Sequence, residues 1–311
     1  MGKTALLFTG QGSQVSGMGL DFYQNFQSSK AIFEEFNKTC QKKISDISFY
    51  GSDEELKQTQ NAQPCILATE IAILEAFKQE CSIEVSYVAG HSLGEYAALY
   101  ASGAISVQTA AKLISARANA MSKINTGAMS AIIGLSADLL GEVLKEASVC
   151  GYVDVANYNT PEQTVITGEN DAVAKANELA LAKGARRAIP LAVSGAFHSK
   201  MMLEPSKEFE KAIVPSEISD AKIPVITNVD ALPTTKAEDF IKKMPEQIYS
   251  SVQWVKTLNY LFENGVDNYI EIGPNKILTG LVRKTLKDVK ISAITTVADL
   301  EKYTDELKAG V

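Results

Sequence analysis

The segment VAGHSLGEYAA (residues 88–98) places a serine between two glycines where an apolar strand meets a helix. The preceding residues, IEVSYVAG, are rich in β-branched side chains and alternate in polarity, which predicts a strand. The following residues, LGEYAALYASG, predict a helix that ends near a glycine. Gly90-His91-Ser92-Leu93-Gly94 therefore matches the G-x-S-x-G nucleophile elbow in the strand–turn–helix setting that the motif requires. We predict an α/β fold with Ser92 as nucleophile; the alternative is an ordinary glycine-lined turn.

Predicted strands and helices alternate along the chain, which indicates a mainly parallel sheet with helices on both faces. From about residue 126 the predicted order becomes β-α-β-β-α-β, which is typical of a ferredoxin-like unit. Because this unit begins and ends inside the chain, we predict a large domain of residues 1–125 and 196–311, interrupted by a small α+β subdomain of residues 126–195. In the large domain, Pro64 is expected at the first position of a helix.

The composition excludes several classes of function. A net charge of −7 argues against nucleic acid as the main partner, because phosphate binding needs a basic surface. The four cysteines form no C-x-x-C pair, so neither a zinc site nor a disulfide framework is predicted. The apolar run near the N-terminus is too short for a signal peptide or a membrane span. We expect a cytoplasmic, monomeric protein that has no metal and no membrane partner.

A serine hydroxyl needs a base to become a good nucleophile, and the chain has only two histidines. His91 is adjacent to Ser92, and neighbouring side chains at such a turn diverge, so His91 is expected to pack or to orient. His198 falls where the inserted unit returns to the large domain, and we predict that it is the base. The group that orients its imidazole is left open between three candidates: Asp230, Asn228 and Gln247.

Arg117 interrupts an apolar helical stripe formed by Ala110, Leu113, Ile114 and Met121. One interpretation is an arginine whose stem covers the core while its head reaches water. The other is a buried guanidinium that binds a carboxylate through two parallel hydrogen bonds. In the second case the substrate brings a negative charge close to the nucleophile.

Six features in this order resemble the malonyl-CoA:acyl carrier protein transacylase family over nearly the whole chain: FTGQGSQ, TQNAQP, GHSLGE, Arg117, GAFHS and PEQIYSSVQW. The resemblance implies an α/β-hydrolase-like large domain interrupted by a ferredoxin-like small one. It also implies transfer of a malonyl group from malonyl-CoA to the phosphopantetheine thiol of acyl carrier protein, through a malonyl-serine, in fatty-acid or polyketide synthesis. No cofactor is implied.

The same resemblance assigns catalytic roles. Ser92 is then the nucleophile and His198 the base, and the backbone carbonyl of Gln247 orients the imidazole. The backbone N–H groups of Gln11 and Leu93 form the oxyanion hole.

It also implies which residues bind the substrate. Arg117 would bind the malonyl carboxylate, Gln63 and Asn157 match family positions near the site, and Met121 is a further candidate for substrate binding. The segment Ala196-Phe197-His198 resembles the malonyl-type version of this family, in which the bulky Phe197 leaves little room for an α-methyl group.

Two other functions compete with this one. A serine esterase or thioesterase would need an acid between the serine and the histidine in chain order, and Asp138, Asp154 and Asp171 are present but lie in the inserted unit. A non-catalytic protein that binds CoA esters or carrier proteins is the second alternative. An acidic carrier protein would need a basic surface, for which the candidates are Lys183, Arg186, Arg187, Lys276, Arg283 and Lys284.

Overall fold

The computed structural model describes residues 2–193 and 195–310. Its larger sheet has six strands in the order β10-β9-β1-β2-β7-β8, all parallel except the short terminal strand β8. This sheet confirms the prediction of a mainly parallel sheet. The strands are β1 (Lys3–Phe8), β2 (Tyr87–Gly90), β7 (Val225–Ile226), β8 (Pro233–Thr234), β9 (Val266–Ile272) and β10 (Lys290–Ile294).

The second sheet has four antiparallel strands in the order β4-β5-β3-β6. These strands are β3 (Ala128–Ile133), β4 (Val153–Thr160), β5 (Gln163–Gly168) and β6 (Arg187–Pro190). Two helices, α8 (Ala137–Ala147) and α9 (Asn170–Ala182), share an apolar core with this sheet. The β-α-β-β-α-β order and the strand order give the ferredoxin-like arrangement that was predicted. The exact division of the chain into domains stays a prediction.

Helices cover both faces of the parallel sheet. Successive residues of β1 alternate between two apolar cores, since Leu6 and Phe8 belong to one and Ala5 and Leu7 to the other. The helices are α1 (Leu20–Asn25), α2 (Gln27–Thr39), α3 (Ile44–Tyr50), α4 (Asp53–Lys57), α5 (Thr59–Glu80), α6 (Gly94–Ala101), α7 (Val107–Ser122), α10 (Leu203–Glu210), α11 (Ala237–Tyr249), α12 (Trp254–Glu263), α13 (Leu278–Thr285) and α14 (Val297–Ala309).

The expected position of Pro64 is wrong. Helix α5 begins at Thr59, so Pro64 lies inside the helix rather than at its start. The turn before the proline carries Asn61 and Gln63, which are both buried and hydrogen-bonded to other parts of the chain. These tertiary contacts outweigh the single helical hydrogen bond that the proline lacks.

Among the helices of the described residues, none is both long enough and apolar enough to cross a bilayer.

Candidate active site

The turn between β2 and α6 is tight, and two glycines allow the backbone segments to approach each other closely there. A Cβ atom on Gly90 would lie 1.9 Å from the carbonyl carbon of Gly94, and one on Gly94 would lie 2.4 Å from the carbonyl oxygen of Phe8. Ser92 sits at the tip with φ of 54°, in the left-handed region that costs a non-glycine residue about 1–2 kcal/mol. The sequence thus folds into a strained turn that presents one hydroxyl at the carboxyl end of a central strand.

His198 lies against this hydroxyl, with its Nε2 atom 2.8 Å from Ser92 Oγ. The other ring nitrogen, Nδ1, is 3.0 Å from the carbonyl oxygen of Gln247 and 3.1 Å from that of Ser250. Because both of these partners only accept, Nδ1 carries the proton and Nε2 is left to take one from the serine. The sequence offered no indication of Ser250, because its backbone carbonyl rather than its side chain makes the contact.

The charge state of His198 follows from its surroundings. Burial lowers its pKa to about 3, and the positive charge of Arg117 contributes in the same direction. The imidazole is therefore neutral near pH 7, which is the form that accepts a proton.

Of the three candidates for orienting the imidazole, the structure brings Gln247 to it. Asp230 instead accepts a hydrogen bond from Thr227 and pairs with Lys243 at 2.7 Å. Asn228 contacts the elbow itself, where its Oδ1 atom accepts the N–H of Ser92 at 2.7 Å.

His91 points away from the Ser92 hydroxyl. Its Nε2 atom is 2.8 Å from Asn159 Oδ1, and its ring meets Trp254 edge-on at a centroid distance of 5.4 Å. Burial lowers the pKa of His91, so this ring is also neutral. It packs between the elbow and the inserted sheet, as expected of a neighbour rather than a base.

Arg117 is completely buried, which excludes a side chain whose head reaches water. Its Nη2 atom donates to Ser92 Oγ and to Gln247 Oε1, both at 3.0 Å, and its Nη1 atom donates to Gln63 Oε1 at 2.8 Å. Burial lowers the pKa of this guanidinium, but arginine starts high enough to stay charged. In the described part of the chain its hydrogen-bond acceptors are all neutral. The carboxyl group of Glu95 acts on Arg117 through its charge alone, and burial raises the pKa of that carboxyl to about 7. A buried cation thus lies beside Ser92 with no carboxylate hydrogen-bonded to it.

Two backbone N–H groups are available beside the serine. Those of Leu93 and Gln11 donate no hydrogen bond within the described residues, whereas the N–H of Ser92 is taken by Asn228. Leu93 is the N-cap of α6, where the helix dipole favours negative charge. The side chain of Gln11 is engaged elsewhere, since it donates to Thr59 and accepts from Gln63.

A cavity of about 330 Å³ opens over these groups. Seven of the predicted site residues line it, while Leu93, Arg117 and Gln247 form the layer beneath. The antiparallel sheet and the residues that follow it supply part of the wall, through Met129, Asn157 and the segment 191–193. The lining residues are Gln11, Gly12, Gln14, Lys57, Gln63, His91, Ser92, Met121, Met129, Asn157, Leu191, Ala192, Val193, Phe197 and His198.

Comparison with known proteins identifies the family of this chain. The profile of the family described as acyl transferase domain matches residues 5–309. The chain belongs to the acyl transferase family. It is 42% identical over 312 residues to a malonyl CoA-acyl carrier protein transacylase of Bacillus subtilis, covering 99% of this chain and 98% of that protein. It is 36% identical over 309 residues to a protein of the same name from Staphylococcus aureus, covering 98% and 99% respectively.

Solved structures support the same fold for this acyl transferase. An acyl-carrier-protein-S-malonyltransferase from Bartonella henselae has a TM-score of 0.93 at 36% identity, with 99% of this chain and 100% of that chain covered. A malonyl-transacylase in complex with its type II PKS acyl-carrier protein has a TM-score of 0.93 at 33% identity, with 98% and 99% covered. The predicted fold class is therefore confirmed.

A larger groove, of about 1370 Å³, lies at the other end of the parallel sheet. It is lined by residues at the amino ends of the parallel strands, among them Lys3, Thr4, Asp267 and Lys290. Ligands of open α/β sheets bind at the carboxyl ends of the strands, where Ser92 lies.

Half of the basic residues considered for a carrier-protein surface are neutralised by neighbours. In the structure these cations pair as follows: Lys183 with Glu142 and Glu146, Arg186 with Glu162, and Lys276 with Asp299. Within the described residues, Arg187, Arg283 and Lys284 of this acyl transferase form no ion pair. The surface that contacts a carrier protein stays a prediction.

Proposed function

We propose that this acyl transferase moves a malonyl group from malonyl-CoA to the phosphopantetheine thiol of acyl carrier protein, through a malonyl ester of Ser92. The observation that carries the proposal is the buried guanidinium of Arg117, 3.0 Å from Ser92 Oγ and bonded only to neutral groups. A buried charge that is not directly paired is unfavourable by several kcal/mol, so the site favours a substrate that brings a carboxylate to this guanidinium. The relatives named above act on malonyl groups.

In the first half-reaction Ser92 Oγ attacks the thioester carbonyl while His198 Nε2 takes the hydroxyl proton. The 2.8 Å contact between these atoms supports this transfer. The oxyanion that develops is bound by the N–H groups of Leu93 and Gln11, and loss of one such donor typically costs ~10²–10³ in rate. The tetrahedral intermediate collapses, the C–S bond breaks, and the proton on His198 passes to the CoA thiolate.

The second half-reaction runs through the same groups in reverse order. The phosphopantetheine thiol enters the cavity and gives its proton to His198 Nε2. Its sulfur attacks the malonyl ester, the oxyanion forms again at Leu93 and Gln11, and Ser92 Oγ leaves with the proton from His198. The product is the malonyl thioester of the carrier protein, and the serine is regenerated.

Selectivity follows from two side chains. Arg117 binds the malonyl carboxylate, so an acetyl group would leave the guanidinium unpaired. Phe197 is nearly buried in the cavity wall and limits the space beside the α-carbon. Gln63 and Asn157 line the same cavity, as does Met121, and we assign them to contacts with the acyl group and the pantetheine.

The proposal includes a partner and a setting. The partner is an acyl carrier protein, as in the malonyl-transacylase that was solved with one. The pathway is fatty-acid synthesis, or polyketide synthesis through the same chemistry. We further propose that the chain works as a monomer in the cytoplasm and without a metal or cofactor, on the grounds of its composition.

The experiment is intact-protein mass spectrometry after brief exposure to malonyl-CoA and, separately, acetyl-CoA. The wild type and Ser92→Ala are compared, because the variant removes the nucleophile and little else. We expect a malonyl adduct on the wild type alone, which holo acyl carrier protein discharges faster than water does. Acetyl-CoA should give a much weaker adduct.

The other results have defined meanings. Steady release of CoA without an adduct on the wild type would identify a thioesterase. Neither adduct nor release would favour the alternative of a protein that binds CoA esters without reacting with them. An adduct on Ser92→Ala would place the nucleophile elsewhere.

A further inference from the structure

The carboxamide of Asn228 bridges the two sides of the nucleophile elbow. Its Oδ1 atom accepts the N–H of Ser92 at 2.7 Å, and its Nδ2 atom donates to the carbonyl oxygen of Gly90 at 2.7 Å. Asn228 is 1% exposed, so water does not compete for these bonds. The amide orientation is fixed, because only the oxygen can accept and only the nitrogen can donate.

Asn228 is itself held by Glu95, the second residue of the helix that follows the elbow. The Oε2 atom of Glu95 accepts the backbone N–H of Asn228 at 2.6 Å, and Glu95 is 2% exposed. On its other side the carbonyl oxygen of Asn228 accepts the N–H of Gln253 at 3.0 Å. The elbow, Asn228 and α6 therefore form a closed ring of buried hydrogen bonds.

This ring of hydrogen bonds includes Ser92, whose backbone conformation is strained. Ser92 has φ of 54°, and a strained backbone conformation persists only where its surroundings determine it. The bond from Ser92 N–H to Asn228 fixes the peptide plane before the serine, and the bond to Gly90 fixes the end of β2. Both ends of the strained turn are thus tied to one side chain.

We propose that Asn228 is a positioning residue that holds Ser92 in its left-handed conformation, and that Glu95 fixes the main chain of Asn228 for this purpose. The inference rests on the proposed function, because it assumes that Ser92 is the nucleophile. Two consequences follow for the reaction. Ser92 Oγ is directed at His198 Nε2, and the first N–H free to face an oxyanion becomes that of Leu93.

The test measures the rate at which malonyl-CoA acylates the enzyme, by rapid quenching and intact mass spectrometry over a range of malonyl-CoA concentrations. In Asn228→Ala the serine loses its restraint, and a displacement of about 1 Å costs ~10²-fold in rate. We expect the maximal acylation rate to fall ~10–100-fold, while the malonyl-CoA concentration for half-maximal rate changes less than about threefold, since Arg117 is untouched.

Asn37→Ala is the matched control. The Asn37 side chain also uses both amide ends, accepting the N–H of Ser45 at 3.0 Å and donating to Ser45 Oγ at 2.9 Å. It joins α2 to α3, which carry none of the proposed site residues. We expect a loss of stability in this variant with no change in the acylation rate.

A pair of variants at Glu95 separates positioning from simple structural support. Glu95→Gln keeps an oxygen that can accept the N–H of Asn228, whereas Glu95→Ala does not. We expect the Gln variant to keep more of the wild-type acylation rate than the Ala variant, which should follow Asn228→Ala. Asn228→Asp keeps the acceptor for Ser92 but loses the donor to Gly90, so its rate should lie between those of the wild type and Asn228→Ala.

The outcomes are distinct. Wild-type rates in folded Asn228→Ala and Glu95→Ala would overturn the inference, and so would a loss seen only in the half-saturating concentration. If Asn228→Ala does not fold, the order of rates among Asn228→Asp, Glu95→Gln and Glu95→Ala decides. A wild-type enzyme that gains no malonyl group would instead refute the proposed function.

Discussion

The two sheets of this protein contribute to the site in different ways. The parallel sheet and its helices carry the groups around the hydroxyl: Ser92 follows β2, Arg117 lies on α7 and Gln247 on α11. These side chains are hydrogen-bonded to one another, and Arg117 and Gln247 are fully buried. The antiparallel sheet gives Met129 and Asn157, which line the cavity without contacting the hydroxyl.

The parallel sheet thus carries the groups that surround the hydroxyl, whereas the antiparallel sheet encloses the cavity. Groups that move a proton or stabilise a charge must be fixed within a fraction of an ångström, and a network of buried hydrogen bonds achieves this. A cavity wall needs only shape and low polarity, so an inserted sheet can provide it. We expect substitutions in the first region to change the rate of chemistry and substitutions in the second to change substrate binding.

The largest effect is expected at His198. Replacing it by alanine leaves the serine without a base, and removal of such a base in a serine enzyme costs on the order of 10⁴–10⁶-fold. His91→Ala is the matched control, because the same residue type lies one position from the serine but points away from it. The acylation rate of both variants is measured by rapid quenching, and a similar loss in each would contradict the distinction between the two histidines.

The next largest effect is expected at Arg117. In Arg117→Ala the carboxylate loses its partner, and truncation of one member of a buried charge pair costs about 2–5 kcal/mol. We expect malonyl transfer to fall accordingly, while the ratio of acetyl to malonyl transfer rises. Competition between the two CoA esters, read by mass spectrometry, gives that ratio. An unchanged preference for malonyl would show that the guanidinium has another role.

A smaller effect is expected in the antiparallel sheet. Met129→Ala and Asn157→Ala remove side-chain atoms from the wall, so the cavity becomes larger. The hydrogen bonds around Ser92 stay intact. We expect the KM for malonyl-CoA to rise a fewfold, while kcat changes by less than about threefold. A loss of kcat comparable to that of Arg117→Ala would remove the contrast between the two sheets.

The smallest effect is expected from pH. The pKa of His198 is lowered to about 3, below its ordinary value near 6.5, so at pH 5 the imidazole remains neutral and able to accept a proton. Glu95, whose pKa is raised to about 7 by burial, titrates in the same range, so the measurement uses Glu95→Gln. In this variant we expect the acylation rate to change little between pH 8 and pH 5 and to decline only below that. A decline centred near pH 6.5 would mean that His198 is more solvated in the working enzyme than in this structure.

The sequence made the elbow and the alternation of strands and helices predictable, because both depend on neighbouring residues. Gly90 and Gly94 indicate a close approach of strand and helix, and apolar periodicity indicates the sheet. The ferredoxin-like insertion was predictable for the same reason, since its elements follow one another without interruption.

Other parts of the site depend on contacts that no local pattern encodes. Gln247 and Ser250 orient His198 through backbone carbonyls, which every residue has. The contact between Asn228 and Ser92 joins positions that are 136 residues apart in the sequence. The sequence therefore suggests Asn228 as a group that orients His198, whereas in the structure it contacts the elbow. Pro64 was misplaced because buried contacts of the preceding turn extend its helix.

The order of strands in the parallel sheet has a consequence for synthesis of the chain. Strand β1 lies between β2 and β9, so its second neighbour is made only after residue 266 leaves the ribosome. Until then the first strand has one unpaired edge. Long-range pairing of this kind forms slowly. The strand that leads to Gln11 is therefore fully paired only late in synthesis, after the serine, the arginine and the histidine have been made.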